Sequence, residues 1–170
     1  MRTKPPLVLL IGLGNERRGD DAAGLAAVRR IARERPEGVE ILECESDCAE
    51  LLDAWRGATR VFVADALASG AAPGSVQRFD AAAAPLPAAR FAPSTHAFGL
   101  AQAIELARAL GELPPALVVY GIEGRSFDAG APLSPEVEAG VERAAALLLD
   151  EIREARTRHA AQDGTCTNTP

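Results

Sequence analysis

Three polar side chains of this sequence have the chemistry to bind a divalent metal ion. Asp21 follows a glycine-rich segment, Asp65 ends a run of apolar residues, and His96 is the only histidine outside the C-terminal segment that contains His159. Two carboxylates and one imidazole make an open site that suits a borderline divalent ion such as zinc or nickel. The residue types therefore predict a metal site built from Asp21, Asp65 and His96.

Each of these side chains also has a purely structural interpretation. Asp21 could cap the following helix, although the adjacent Asp20 could do this and leave the carboxylate of Asp21 spare. Asp65 could cap a turn, but a carboxylate at the end of a buried strand is costly without a cation or donor nearby. His96 could be a surface or capping histidine. In the first turn of a helix its imidazole would stay neutral, and the neutral form is the one that binds metal.

Apolar runs alternate with amphipathic segments along the chain, and this order predicts a mostly parallel sheet covered by helices on both faces. The predicted strands are residues 7–11, 39–42, 60–65, 75–79 and 116–122. The predicted helices follow Asp21, surround Trp55, begin at Ser94 and begin at Pro135. The sequence thus predicts an α/β fold with one short edge strand after the Pro73-Gly74 turn.

Most of the polar candidates lie at the ends of predicted strands. These positions are Gly12, Gly14, Asn15, Glu43, Asp65 and Glu123. Ligands on mostly parallel sheets bind beyond the carboxyl ends of the strands, where the strand order reverses. We therefore expect the site at this rim, and the loop before the predicted helix at Ser94 could bring His96 to it.

The glycine segment does not match a dinucleotide-binding fingerprint. Arg17 stands where the third glycine of that fingerprint belongs, and Asp20 and Asp21 would place negative charge beside a pyrophosphate. We interpret Gly12 and Gly14 as allowing a tight turn near the site, with Asn15 bonding to the turn itself.

Length and charge set further limits. The 170 residues suit one domain, which we place at residues 1–156, followed by a flexible C-terminal tail at residues 157–170. The net charge of −6 argues against a nucleic-acid partner. No apolar run is long enough for a membrane span, and the first residues lack the apolar core of a signal peptide.

The cysteines bear on the compartment. Cys44, Cys48 and Cys166 cannot form a disulfide framework, and a zinc site would need a second pair of ligands beside Cys44 and Cys48. We therefore expect the cysteines to be ordinary thiols. We also expect the protein to be cytoplasmic and monomeric.

Several motifs, taken together and in this order, resemble those of the hydrogenase maturation proteases. The matching segments are Gly12-Leu13-Gly14-Asn15, Asp20-Asp21-Ala22-Ala23-Gly24, Val63-Ala64-Asp65-Ala66, Pro73-Gly74, Ser94-Thr95-His96-Ala97-Phe98-Gly99-Leu100 and Val119-Tyr120-Gly121-Ile122-Glu123. The family consists of endopeptidases that process the large subunit of nickel–iron hydrogenases, and the resemblance extends from about Leu7 to Leu149.

The resemblance implies a fold, an activity and a partner. It implies a three-layer α/β/α sandwich around a five-stranded mixed sheet. It also implies an aspartic-type endopeptidase that removes the C-terminal extension of the hydrogenase large-subunit precursor after nickel insertion. The metal-binding and catalytic positions of the family correspond to Asp21, Asp65 and His96. The nickel would come with the substrate, and zinc or another divalent ion could take its place.

Two departures and two alternatives accompany this resemblance. Many family members carry Asp-Gly-Gly-Thr after the second strand, where this chain has Glu43-Cys44-Glu45-Ser46, and Ala22 replaces a common glycine. Glu43 keeps a carboxylate, so we assign it with Gly12, Gly14 and Asn15 to a substrate loop. Peptidyl-tRNA hydrolases also begin with a strand and Gly-Leu-Gly-Asn. A non-catalytic chaperone that binds metal and precursor would use the same triad.

Overall fold

The computed structural model describes residues 8–45, 48–91 and 99–163, and a five-stranded sheet with the order β2-β1-β3-β5-β4 forms its centre. The strands are β1 (Val8–Leu13), β2 (Val39–Cys44), β3 (Arg60–Leu67), β4 (Val76–Asp80) and β5 (Ala116–Glu123). The helices are α1 (Ala23–Arg33), α2 (Cys48–Trp55), α3 (Leu100–Leu110) and α4 (Pro135–Asp163). Only β4, at one edge, runs antiparallel to its neighbour.

The apolar runs form the inner strands because both faces of the sheet are covered. Every residue of β1 is buried, and the same holds for β3 after Arg60 and for β5 after Ala116. Strand β2 lies at the other edge and is mostly half-buried. The predicted α/β class, the mixed five-stranded sheet and the short edge strand are confirmed.

The helices form one layer on each face of the sheet. On one face α1 and α4 pack on a core that includes Val28, Phe62 and Leu148. On the other face α2 and α3 pack on a core that includes Trp55, Val63 and Ile104. The three-layer α/β/α arrangement is therefore confirmed.

Two glycines allow α1 to lie unusually close to the sheet. A Cβ atom on Gly24 would lie 2.3 Å from the carbonyl oxygen of Ala64 and 2.4 Å from that of Leu13. A Cβ atom on Gly12 would lie 2.4 Å from a methyl carbon of Val28. Because neither position has room for a side chain, glycine lets α1 begin directly above β1 and β3.

Some predicted boundaries need correction. Strand β1 continues to Leu13, so Gly12 belongs to a strand and not to the loop that we predicted. Helix α3 begins at Leu100, with Gly99 as its N-cap, so the predicted helix start at Ser94 is wrong. The backbone N–H of Gly99 donates to the side chain of Gln102 at 3.1 Å, which satisfies one donor at this helix end.

The C-terminal end of the fold is helical beyond the predicted domain boundary. Helix α4 continues to Asp163, and Ala155 is the last buried residue among those of α4 up to Arg158, whose burial is described. Residues 164–170 lie outside the described part of the chain. Among the helices of the described ranges, none is both long and apolar enough to cross a membrane.

Candidate active site

Asp21 and Asp65 come together where the strand order of the sheet reverses. Strand β1 pairs with β2 on one side and with β3 on the other, so the chain connections leave β1 and β3 in opposite directions. Such a reversal opens a crevice at the carboxyl ends of the two strands. Asp65 lies near the end of β3, and Asp21 lies in a 3-10 turn (Gly19–Ala22) that follows β1.

Asp65 is an almost fully buried carboxyl group. Its residue is only 8% exposed, and the backbone N–H of Ala66 donates to its Oδ1 at 2.8 Å. Its pKa is raised to about 7, mainly by burial and to a smaller extent by the nearby charge of Asp21, while the Ala66 hydrogen bond opposes the rise. The strand continues to Leu67, so Asp65 occupies a place in the ladder opposite Gly121 and not the strand terminus.

Asp21 is the more exposed member of the pair. Its pKa is also raised, because partial burial outweighs the positive charge of Arg18 and a hydrogen bond from the backbone N–H of Asn15. Each group has an environment that disfavours its charge, and Asp21 lies close enough to affect the pKa of Asp65. Two carboxyl groups in this arrangement can share a proton or bind one cation.

The segment between β1 and Asp21 is the tight turn that the glycines predicted. Gly14 has φ +139°, and a Cβ atom there would lie 1.8 Å from the carbonyl oxygen of Asp21. The side-chain oxygen of Asn15 accepts a hydrogen bond from the backbone N–H of Arg17 at 2.9 Å. The predicted role of Asn15 in the turn is confirmed. We call residues 14–22 the site loop, and its residues contact one another.

Asp20 does not face the same way as Asp21. It is fully buried and accepts hydrogen bonds from Arg125, Ser126 and Ser134, which lie between β5 and α4. Burial alone would raise its pKa, but these hydrogen bonds outweigh it and lower the pKa. Helix α1 has no side-chain cap, so the predicted capping by Asp20 or Asp21 is wrong.

Glu43 is engaged in an ion pair and lies in β2, not in a loop. The guanidinium of Arg29 donates to both carboxylate oxygens of Glu43, with the shortest distance 2.6 Å, and it also contacts Glu16 of the site loop. These interactions raise the pKa of Arg29, with Glu43 the larger contributor. Arg29 therefore ties the site loop to the edge strand, a role that the sequence analysis missed because 14 residues separate it from Glu43.

Glu123 lies at the predicted rim, but its carboxylate has a structural role. It is 1% exposed and accepts hydrogen bonds from the Ser69 hydroxyl at 2.7 Å and from the Gly70 backbone at 2.8 Å. Its carboxylate thereby holds the connection between β3 and β4.

The third predicted ligand, His96, lies outside the described residues. Within residues 8–45, 48–91 and 99–163, no group of three or more histidine, cysteine, aspartate or glutamate side chains is arranged to hold a metal ion. Cys44 is buried and takes part in no disulfide with another described residue, whereas Cys166 lies outside the described part. The structure thus brings together two of the three predicted ligands.

Comparisons with known proteins agree on one family. A family model described as hydrogenase maturation protease matches residues 26–151. The chain is 31% identical over 151 residues to the hydrogenase 2 maturation protease of Escherichia coli (strain K12), covering 86% of this chain and 91% of that protein. It is 27% identical over 155 residues to the hydrogenase expression/formation protein HupD of Thiocapsa roseopersicina, with 89% and 70% covered.

Solved structures give the same result. The hydrogenase maturating endopeptidase HybD from Escherichia coli superposes with a TM-score of 0.72 and 31% identity, covering 87% of this chain and 93% of that one. The [NiFe] hydrogenase maturation protease HybD from Thermococcus kodakarensis superposes with a TM-score of 0.62 and 27% identity, covering 84% and 97%. The similarity in fold therefore extends over nearly the whole of each chain.

Proposed function

This chain belongs to the hydrogenase maturation protease family, and we propose that it removes the C-terminal extension from the large-subunit precursor of a nickel–iron hydrogenase. It is a hydrolase of the protease class, and the hydrogenase precursor is its substrate. The comparisons give no support to the peptidyl-tRNA hydrolase and chaperone alternatives.

Our proposal assigns the substrate-binding site to Asp21, Asp65 and His96. The observation that carries it is the pair of carboxyl groups at the switch point, where Asp21 contributes to the raised pKa of the buried Asp65. In the described part of the chain Asp65 has one hydrogen bond, from Ala66, and no ion pair. A divalent cation between the two carboxylates would offset both the burial and the mutual repulsion.

The ion that fits these donors is nickel carried by the substrate. Carboxylate oxygens together with the imidazole of His96 form a set that binds nickel or zinc and leaves further coordination positions for the ligands of the precursor. Recognition of the nickel would make cleavage a checkpoint, because a precursor without nickel would lack the group that docks at the site. Zinc or another divalent ion is expected to substitute in a binding assay.

The carboxylates and His96 have to be in their metal-binding protonation states for this chemistry. Asp21 and Asp65 would be ionised, and His96 would be neutral. An ion held by them can polarise the scissile carbonyl as a Lewis acid and activate water for attack. The residues of this chain would bind and orient the precursor, with Asp21 the more exposed of the two carboxyl groups.

Cys44 and the origin of the proposed ligands bear on the compartment and the oligomeric state. Cys44 takes part in no disulfide with another described residue, which agrees with a reducing compartment, and we place the reaction in the cytoplasm. We expect one protomer to be sufficient, because the proposed ligands all come from a single chain.

Cleavage of purified precursor tests the proposal. Nickel-loaded and nickel-free large subunit are mixed with the wild-type chain and with the Asp65→Asn and His96→Ala variants, and the product is measured by mass spectrometry. Asp53→Asn is the matched control, since Asp53 lies on α2, is exposed and forms an ion pair with Arg56. We expect cleavage of the nickel-loaded precursor by the wild type and the control only.

Two other results would change the proposal. Equal cleavage of nickel-free and nickel-loaded precursor would rule out the checkpoint while leaving the protease. Failure of the wild type to cleave either precursor would favour the chaperone. In a parallel titration His96→Ala should lose nickel binding and keep its circular dichroism spectrum, and unchanged nickel binding would remove His96 from the site.

A further inference from the structure

Asp20 uses its whole carboxylate on one neighbouring loop. Its Oδ2 accepts the backbone N–H groups of Arg125 at 2.8 Å and Ser126 at 2.9 Å, together with the Ser134 hydroxyl at 2.8 Å. Its Oδ1 accepts the backbone N–H of Ser134 at 2.6 Å. The carboxylate is fully buried, and both of its oxygens are engaged by donors of the segment between β5 and α4. Asp20 is therefore not a ligand of the proposed site.

The contacts of Asp20 join two loops that lie at the carboxyl edge of the sheet. One is the site loop, and the other is the β5–α4 loop, defined as residues 124–134. The backbone N–H of Asp20 also donates to the carbonyl of Ser126 at 2.8 Å, and that of Gly130 donates to the carbonyl of Arg17 at 2.7 Å. The β5–α4 loop is thus hydrogen-bonded to the site loop at Arg17 and at both the backbone and the side chain of Asp20.

The packing between the two loops leaves no room for adjustment. Gly19 has φ +54°, and a Cβ atom there would lie 2.6 Å from the carbonyl oxygen of Ser126. The next residue but one is Asp21, whose backbone N–H donates to the carbonyl of Arg18 at 3.1 Å. The position of the Asp21 backbone consequently depends on where the β5–α4 loop holds Asp20.

We propose that Asp20 is a positioning residue that fixes the site loop against the β5–α4 loop and so holds Asp21 at the distance from Asp65 that one substrate-borne nickel ion requires. The role rests on the proposed function, because the ion belongs to the precursor. Groups that orient metal ligands without touching the metal typically change metal affinity by about 10- to 100-fold when they are removed. Loss of the Asp20 charge should therefore weaken nickel binding without removing a ligand.

The test uses the full-length chain with Asp20→Asn and the milder Ser134→Ala, which removes a single donor. Glu151→Gln is the matched control, because Glu151 accepts comparable hydrogen bonds from Arg78 and from the Tyr120 hydroxyl on another part of the fold. Nickel affinity is measured by calorimetry with nickel chloride, and hydrogen exchange is measured for residues 14–22 and 124–134. KM and kcat are measured with nickel-loaded precursor.

The expected result is a specific loss of affinity. Asp20→Asn should lower nickel affinity at least about tenfold, raise KM in proportion and speed exchange in both loops. Ser134→Ala should show the same pattern at about fivefold, so it decides the question if Asp20→Asn does not fold. Glu151→Gln should lower the melting temperature but leave affinity, KM and loop exchange unchanged.

Two readouts separate this inference from the proposed function. If both Asp20→Asn and Ser134→Ala bind nickel and exchange their loop amides as the wild type does, the positioning role is overturned even if cleavage proceeds. Absence of cleavage by the wild type would overturn the proposed function, while calorimetry and exchange on the chain alone would still decide whether Asp20 positions Asp21. A fall in kcat alone, with unchanged KM and nickel affinity, would also contradict the positioning role.

Discussion

Asp21 lies in the 3-10 turn that follows β1, Asp65 lies in the adjacent parallel strand β3, and the charge of Asp21 contributes to the raised pKa of Asp65. The close approach of α1 to β1 and β3 produces this relationship, because the helix starts directly over both strands. A folded protein gains nothing from holding a buried carboxyl group beside a second one in the absence of a cation. The arrangement is therefore better explained by binding than by stability.

Replacement of Asp65 by asparagine should stabilise the metal-free protein while abolishing cleavage. A carboxyl pKa that rises from 3.8 to about 7 corresponds to at most roughly 4 kcal/mol of lost folding free energy above pH 7. Asparagine still accepts the Ala66 hydrogen bond but buries an amide donor, so we expect a net gain of about 2 kcal/mol. Thermal unfolding at pH 8 should show a rise of several degrees.

The sign of this effect gives it a pH signature. The pKa of Asp65 is raised on folding, so the wild type bears the full cost above pH 7 and is relieved of it as the pH falls towards 4. The stability difference between Asp65→Asn and the wild type should shrink over the same range. A variant less stable than the wild type at pH 8 would show that Asp65 has a stabilising partner, and Asp53→Asn serves as the exposed control.

Deletion of residues 157–170 should leave the domain nearly unchanged. Ala155 is the last buried residue among the residues of α4 whose burial is described, and Thr157 and Arg158 are exposed, so we expect the deleted residues to contribute little buried apolar surface. We expect the melting temperature to fall by no more than about 2 °C, which corresponds to less than about 1 kcal/mol. Nickel affinity, measured in the same preparation, should not change. A loss of many degrees would show that the C-terminal segment packs on the domain.

The fold could be predicted because each apolar run carries its own signal. A continuous run such as that of β1 suits a strand buried on both faces, and Pro135 marks the start of α4. The start of α3 could not be located this way. Ser94 is a good helix cap by residue type, but Gly99 takes that place with the help of the Gln102 side chain.

The pair of carboxylates could also be predicted, whereas the division of roles between adjacent residues could not. Asp20 and Asp21 have the same chemistry. Asp20 is buried because it binds the backbone of Arg125, which lies 105 residues later in the sequence, and the carboxylate of Asp21 remains available for the site. The partner of Glu43 is hidden for the same reason, since Arg29 belongs to a different element. Contacts between residues far apart in the sequence therefore determine the roles of side chains that cannot be distinguished by local sequence patterns.

Replacement of Gly24 by alanine should damage both stability and the site. The new methyl group would meet the carbonyl oxygens of Ala64 and Leu13, so α1 would have to move outward. Overpacking typically costs about 1–3 kcal/mol, which exceeds the roughly 1 kcal/mol that alanine gains in helix propensity. Nickel affinity should fall as well, because Asp21 precedes α1. Chemical denaturation and calorimetry measure the two effects.

Ala26→Gly is the control for Gly24→Ala, because it changes α1 two residues away without adding a group. It should cost about 1 kcal/mol through helix propensity and leave nickel affinity unchanged. If Gly24→Ala proves as stable as the wild type and binds nickel equally well, the close contact between α1 and the sheet does not determine the geometry of the site.

Nickel affinity should fall in acid, starting near neutral pH. Burial and the charge of Asp21 help to raise the pKa of Asp65 to about 7, so below that pH a proton competes with the metal for this carboxylate. A single competing proton lowers affinity about tenfold per pH unit, and protonation of His96, with an ordinary pKa of about 6.5, should make the decline steeper. Calorimetric titration from pH 8 to pH 5.5 measures the profile, with Glu151→Gln expected to follow the wild-type curve. A constant affinity down to pH 5.5 would mean that neither Asp65 nor His96 binds the ion.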